Sequence, residues 1–292
     1  MAVFEGSGVA LVTPFKDGAV DYDTLAGLLE WQVAEGTDAI VICGTSGEAS
    51  TLTDEEQIDT IRFTVEKIAG RIPVLAGVGS NFTAHGVELT KGATKAGADA
   101  LLHVTPYYNK ATKKGLIAHF TAMAEATDLP ILLYSVPGRT GMNIAPDVVE
   151  ELAKVPNIVG IKEASGDISQ VVEIARRAPE GFDLYSGNDD MIIPLMSVGG
   201  KGVISVLANV APKDTHEMAA SYLAGDVKKA AAIQLRAKHL IDALFCEVNP
   251  VPVKAALHMM GKCAYEYRMP LCQMEEANYK RLEKEMKEYG LI

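Results

Sequence analysis

The chain has 292 residues, 48% of them apolar and 22% charged, enough apolar material for a large core and too much for a disordered chain. Its 27 Lys and Arg against 38 Asp and Glu leave a formal net charge of −11 with no basic cluster, which excludes general phosphate-backbone binding and so nucleic acid. The length suits either two ordinary domains or a single α/β barrel.

The four cysteines, Cys43, Cys246, Cys263 and Cys272, form no C-x-x-C pair, and a chain with a full core needs no disulfide staples. A reducing cytosol, and hence a cytoplasmic protein, is expected. The opening stretch has Glu5 ahead of a short apolar run and no basic segment, so no signal peptide is expected. No window approaches eighteen uninterrupted apolar residues, and no membrane partner is expected.

Short β-branched runs recur along the chain, at 8–13, 38–44, 73–79, 99–105, 130–137, 158–163, 183–188 and 202–208. Successive starts lie about 28 residues apart, and most of the runs are nearly continuous in apolar character, as buried parallel strands are. Segments of helical period separate them, at 22–35, 54–69, 84–96, 114–126, 147–154, 167–177 and 190–198. Thr53 and Glu56 frame a capping box, Pro146 suits a first helical turn, and Gly36, Gly97 and Gly199-Gly200 stand where helices should stop.

Eight such alternations predict a (β/α)8 TIM barrel of the α/β class. An open doubly wound sheet is disfavoured, because the first strand runs into Thr13-Pro14-Phe15-Lys16-Asp17-Gly18 and not into a Gly-x-Gly-x-x-Gly turn. From Leu223 the pattern is helical only, at 226–246, 252–260 and 273–289, with a joint at Asn249-Pro250-Val251-Pro252. The expected division is a barrel domain, 1–224, and a C-terminal helical domain, 225–292, that caps the barrel or makes a subunit contact.

Barrel chemistry comes from the C-terminal ends of strands. The polar residues there are Thr13, Thr45-Ser46-Gly47-Glu48, Asn81, Tyr107-Tyr108-Asn109, Tyr134 with Arg139, Lys162, Asn188-Asp189 and Ser205. Alternation puts Ile158, Gly160 and Lys162 on one face, with Ile161 and Glu163 on the other. A lysine facing a dry barrel mouth loses its proton more readily, and a neutral amine attacks a ketone to form a Schiff base; Gly160 is expected to leave room beneath its stem. The bland alternative is a lysine reaching solvent or paired with a carboxylate.

Tyr134 is a phenol suited to shuttling a proton, or a core tyrosine capping a backbone group. Arg139 is placed to grip a carboxylate, or to make a surface ion pair. The Gly44–Glu48 turn offers a nest for a small carboxylate and lacks the phosphate-loop pattern. Adjacent Tyr107 and Tyr108 suit an interface. The six histidines are scattered without metal-ligand spacing, so no metal is expected, and Cys43 and His103 are expected to be packed core residues.

Taken together, Gly44-Thr45-Ser46-Gly47-Glu48, Thr105-Pro106-Tyr107-Tyr108-Asn109, Tyr134-x-Val136-Pro137-x-Arg139-Thr140-Gly141 and Gly160-Ile161-Lys162-Glu163 resemble the dihydrodipicolinate synthases, within the wider pyruvate-dependent class I aldolases and lyases. The resemblance spans the chain and includes Asn249-Pro250-Val251-Pro252-Val253-Lys254. It implies a TIM barrel in which Lys162 forms an imine with pyruvate, without any cofactor. It implies a proton relay of Thr45, Tyr134 and Tyr108, with Tyr108 reaching in from a neighbouring subunit, and a pyruvate carboxylate held by the Thr45 and Ser46 N–H groups. Gly187 and Ile204 complete the implied substrate-binding set.

Arg139 implies a second substrate bearing a carboxylate, L-aspartate 4-semialdehyde. The implied reaction gives 4-hydroxy-tetrahydrodipicolinate and water, the first committed step of lysine and diaminopimelate biosynthesis. Ser135, where asparagine is common in the family, is expected to point away from the axis. A homotetramer built from tight dimers, with Tyr107 and Tyr108 at the tight interface, is also implied.

The alternative within this class is a sialic-acid lyase or a 2-keto-3-deoxy sugar acid aldolase. A nicotinamide oxidoreductase lacks its dinucleotide fingerprint here, and a non-catalytic scaffold leaves Lys162, Tyr134 and Arg139 unexplained. In lysine-sensitive members an inter-subunit cleft binds the inhibitor with histidines and a glutamate. Those positions read Asp54, Gln57 and His85, while Asn81 and Tyr107 match, which implies weak or absent feedback inhibition.

Overall fold

The computed structural model describes residues 2–292. Eight parallel strands close into a barrel: β1 (Gly6–Ala10), β2 (Ala39–Ile42), β3 (Val74–Gly77), β4 (Ala100–Val104), β5 (Ile131–Ser135), β6 (Ile158–Glu163), β7 (Asp183–Ser186) and β8 (Gly202–Ser205). They follow one another around the ring in chain order, and closure is made by β1, where Val9 registers with Ile40 on one side and Ser205 on the other. Closing the ring leaves no strand edge to pair with another chain. A two-stranded hairpin, Phe15–Lys16 with Ala19–Val20, occupies the turn after β1.

Each strand leads to a helix: α1 (Tyr22–Ala34), α2 (Asp54–Ile68), α3 (Thr83–Lys95), α4 (Lys113–Ala124), α5 (Pro146–Leu152), α6 (Ile168–Arg177), α7 (Ile192–Met196) and α8 (Pro212–Leu223). Thr53 and Glu56 form the expected capping box at α2, and Pro146 stands in the first turn of α5. Gly36, Gly97 and Gly199 adopt positive φ at the helix stops. The helix expected at 190–198 is broken, with a 3₁₀ turn, Asp189–Met191, ahead of α7. Asp189 is pulled into the core there, and its Oδ2 accepts from the N–H groups of Val206 (3.1 Å) and Leu207 (2.8 Å).

The C-terminal helices are α9 (Val227–Leu244), α10 (Val251–Met259) and α11 (Glu276–Tyr289). They form the appendage, with α9 lying along α8 and α11. α11 starts later than its periodicity predicts because Met274 N–H donates to the Tyr265 hydroxyl (3.0 Å) and Glu275 N–H donates to Glu247 Oε1 (3.0 Å). These bonds hold the preceding residues out of the helix. No helix is long and apolar enough to cross a membrane among the described residues.

Two apolar layers hold the barrel. The larger lies between strands and helices and takes Val9, Ile40, Ile42, Leu133 and Ile161 with Leu29, Ile61 and Phe120. The smaller fills the barrel itself with Ala39, Val41, Leu75, Ala100, Leu102, Leu132, Tyr185 and Ile204. At its N-terminal end Phe4 stacks on Tyr185 with ring centroids 4.4 Å apart, and the Tyr185 hydroxyl donates to Phe4 O (2.6 Å). That floor is closed, so the cavity opens at the strand C-termini.

The alternation expected along β6 fails at its start. Tyr134 pairs with Lys162 and Leu132 with Gly160, yet Ile131 pairs with Ile158, which leaves Val159 as an extra residue. This bulge turns Ile158 into the outer core with Ile161, and only Gly160 and Lys162 keep the inward face. Gly160 also has a different reason from the one expected. A Cβ there would stand 2.5 Å from Asp183 O and 2.8 Å from Leu132 Cδ2, so glycine permits the close approach of β6 and β7.

Candidate active site

Lys162, at the end of β6, is 5% exposed, and its Nζ lies 4.3 Å from the centroid of the Tyr134 ring. The two residues are register partners on β6 and β5. The glycine that leaves room for the lysine stem is Gly187, just after β7, where a Cβ would stand 3.0 Å from Lys162 Cε and 2.6 Å from Ala164 Cβ. A cavity of about 120 Å³ surrounds this lysine and brings Thr45, Ser46, Tyr134, Arg139 and Gly187 together. A larger one, about 490 Å³, runs from Thr45, Tyr134 and Arg139 outward to Tyr107, Gln57, Asp54 and His85.

The outward faces of the same strands are tied by polar side chains. Ser135 points away from the axis as expected: its hydroxyl donates to Asn143 Oδ1 (3.0 Å) and accepts from Ile144 N–H (3.1 Å). Gln170 Nε2 donates both to Asn143 Oδ1 (3.1 Å) and to Glu163 Oε1 (2.9 Å). Burial raises the Glu163 carboxyl above the usual carboxylate range, against the hydrogen bonds from Ser165 and Gln170. Neighbours of both Tyr134 and Lys162 thus belong to one network behind β5 and β6, which restricts the rotation of either strand end.

The Gly44–Glu48 turn after β2 is strained at both ends, with Cys43 at φ 54° and Glu48 at φ 53°. Non-glycine residues in this left-handed region cost on the order of 1 kcal/mol each and persist only where the surroundings fix them. The surroundings do so here. The Thr13 hydroxyl donates to Gly47 O (2.7 Å), and Asn249 Nδ2 donates to Ser46 Oγ (3.0 Å). Cys43 itself is buried in the outer core, and burial pushes its thiol far up, as suits a small packed hydrophobe.

Arg139 sits on a four-residue helical turn, Pro137–Thr140, where a loop was expected. The Thr140 hydroxyl staples this turn, accepting from the Thr105 hydroxyl (3.0 Å) and from Met142 N–H (3.1 Å). Arg139 Nη2 donates to the backbone carbonyl of Asn249 (3.0 Å), which aims the guanidinium over the cavity.

Not every expected residue converges within the chain. Tyr107 lines the larger cavity, but Tyr108, at φ 71°, is 93% exposed and turned away from its own chain's Lys162 cavity. Ile204 lies one layer down in the barrel interior, and Val206 takes the lining position. Sequence reasoning missed Phe245 and Asn249, which the appendage contributes to the Lys162 cavity. The available signal was the polar Asn249 at the Pro-rich joint, although only the folded chain shows which strand ends it meets. Among the described residues no group of three or more His, Cys, Asp or Glu side chains is arranged to hold a metal ion.

The dihydrodipicolinate synthetase family model matches residues 3–289. The 4-hydroxy-tetrahydrodipicolinate synthase of Thermoanaerobacter sp. (strain X514) is 56% identical over 293 residues, covering 100% of this chain and 99% of the relative. That of Clostridium tetani (strain Massachusetts / E88) is 53% identical over 293 residues, covering 100% of both chains. Among solved structures, dihydrodipicolinate synthase from Thermotoga maritima superposes with a TM-score of 0.98 at 42% identity over 100% of both chains. The enzyme from Aquifex aeolicus superposes with a TM-score of 0.97 at 45% identity over 99% of both. The chain therefore belongs to the dihydrodipicolinate synthetase family.

Proposed function

We propose that this protein is a Schiff-base-forming lyase that condenses pyruvate with L-aspartate 4-semialdehyde, giving 4-hydroxy-tetrahydrodipicolinate and water, the first committed step of lysine and diaminopimelate biosynthesis. The observation that carries this reading is a lysine buried in the barrel mouth against a tyrosine ring, in a chain of this family. Lys162 attacks the pyruvate ketone and water leaves, forming an imine. The imine nitrogen then takes the electron pair as a methyl proton departs, with Tyr134, Thr45 and a partner subunit's Tyr108 relaying protons, and an enamine results.

The enamine carbon attacks the aldehyde, and the alkoxide formed takes a proton from the relay. The substrate amine then attacks the imine carbon, closes the six-membered ring and releases Lys162. The protonated imine is the electron sink throughout, so the reaction calls on no cofactor. The N–H groups of Thr45 and Ser46 hold the pyruvate carboxylate, beside Gly187 and above Ile204. Arg139 holds the carboxylate of the aldehyde.

The assembly that completes this site is a homotetramer, a dimer of dimers, with Tyr107 and Tyr108 at the tight interface; the exposure of Tyr108 supports it. The division at 224/225 separates the catalytic barrel from the appendage, and the protein works in the cytoplasm.

Borohydride reduction with pyruvate, followed by peptide mass analysis, tests the reading. Label on Lys162 and consumption of aspartate semialdehyde are expected. Label on another lysine, or consumption of sugar-acid aldehydes in its place, would overturn it.

A further inference from the structure

That chemistry leaves one ion pair unused. Lys254 Nζ lies 2.6 Å from Glu48 Oε1 with both side chains 0% exposed, the one fully buried ion pair among the described residues. Lys254 stands on α10 within an otherwise apolar run from Val251 to Leu257, its ammonium 4.3 Å from the Phe15 ring centroid and 5.1 Å from that of Tyr267. Two aromatic faces and one carboxylate therefore replace its water. Burial pulls this ammonium below the usual lysine range, and Glu48 acts in the opposite direction.

An ion pair this deep is weak support for stability, since apolar residues of similar volume often serve a core as well or better. Its position suggests another use. Glu48 ends the turn that carries Thr45 and Ser46, in the left-handed conformation, and a second appendage contact, from Asn249 to Ser46 Oγ, lands on the same turn. The partners of the ion pair are 206 residues apart in sequence.

We propose that Lys254 and Glu48 are positioning residues, through which the C-terminal appendage fixes the Thr45–Ser46 turn in the shape that receives the first substrate's carboxylate. This rests on the reading above that the turn holds pyruvate. Neither residue touches the reacting atoms. The ion pair acts by holding Glu48, and with it the backbone N–H groups ahead of it, at one orientation.

The test uses Glu48→Gln, Lys254→Met and the double variant in the full-length protein. In each folded single variant, half-saturating pyruvate is expected to rise by about tenfold or more, because a turn released from its clamp presents its N–H groups in many geometries. Half-saturation for the aldehyde, measured at saturating pyruvate, is expected to move by less than about threefold, since its carboxylate is held elsewhere. The double variant removes both buried charges. It should regain the parent's melting temperature while keeping the pyruvate defect.

Recovery of melting temperature and pyruvate affinity together in the double variant would reduce the pair to a structural contact. Unchanged pyruvate dependence in the folded single variants would overturn the proposal, as would failure of all three variants to fold. Absence of borohydride trapping at Lys162 in the parent protein would instead overturn the proposed function itself.

Discussion

Tyr134 and Lys162 are register partners on adjacent barrel strands, and the lysine Nζ lies 4.3 Å from the centroid of the tyrosine ring. The ring covers the lysine nitrogen at a distance within the cation–π range, and it shields one side of Lys162 from water. The phenol hydroxyl on the same ring is the group that can move a proton.

These two contributions of Tyr134 separate on substitution. Tyr134→Phe keeps the ring and removes the hydroxyl. Turnover is expected to fall about a hundred- to ten-thousandfold, the usual range for a lost general acid–base group. Borohydride trapping at Lys162 should be slowed but still present, and circular dichroism unchanged. Lys162→Ala should lose trapping altogether, with turnover down by several powers of ten. Turnover of Tyr134→Phe within about threefold of the parent would remove its hydroxyl from the mechanism.

Arg139→Ala should separate the two substrates. The guanidinium is aimed by the Asn249 carbonyl, on the appendage side of the cavity, and the Pro137–Thr140 turn that carries it is stapled by Thr140. Losing a charge-assisted carboxylate contact is expected to raise half-saturating aspartate semialdehyde by about tenfold or more. Imine formation with pyruvate should stay within about threefold of the parent. Equal losses in the two measurements would make Arg139 a structural residue.

The barrel was legible because most of the buried strands are short apolar runs and several helices carry their own stop signal, such as Gly36 or Gly97. That Lys162, Tyr134 and Arg139 would meet at one cavity was legible because the strand ends of a barrel and the loops after them gather at one face. Three features were not legible. The bulge at Val159, which turns Ile158 outward, follows from pairing with Ile131 and leaves no mark in either strand alone. The room beside Lys162 comes from Gly187 on the next strand end, not from Gly160 two residues away on its own strand. The contacts of Asn249 and Lys254 join residues more than 200 positions apart, with separations of 203 and 206, which no local pattern encodes.

Acid should destabilise the fold through His103. Its ring is buried on β4, with Nε2 3.2 Å from the Thr90 hydroxyl, and burial holds it down to about 3. His119, near it, is also lowered by burial. His103 is therefore neutral when folded, whereas an unfolded histidine takes up a proton near pH 6.5. At this position the unfolded chain therefore binds more protons as pH falls from about 6.5 towards 3, and stability drops with it, by at most about 1.4 kcal/mol per pH unit through His103, with His119 acting in the same direction. Glu163 and Asp189, raised by burial, contribute in the opposite direction at the acid end of this window. Urea unfolding at pH 7 and pH 5 should thus show a smaller loss for His103→Gln than for the parent. An identical loss in the two proteins would exclude His103 as a source of acid sensitivity.

Feedback by lysine should be weak or absent, and the larger cavity gives the reason. The family resemblance implies that His85 stands where lysine-sensitive members carry the inhibitor-binding glutamate. Its Nε2 lies 2.8 Å from Asp54 Oδ1 and its Nδ1 3.1 Å from the Ser80 hydroxyl. Asp54 is the nearby carboxylate that could stand in for that glutamate, and it is already engaged by His85. A lysine ammonium entering here would have to compete with His85 for the Asp54 carboxylate, where a glutamate side chain would have offered it an unshared one. A loss of even about 3 kcal/mol raises the inhibition constant more than a hundredfold. Titrating L-lysine into a steady-state assay at near-saturating pyruvate should therefore give no half-inhibition below about 1 mM, which corresponds to roughly −4 kcal/mol of binding. His85→Glu should tighten inhibition by supplying the missing carboxylate and releasing Asp54. Half-inhibition of the parent well below 1 mM, unchanged by this substitution, would show that lysine is held by other groups.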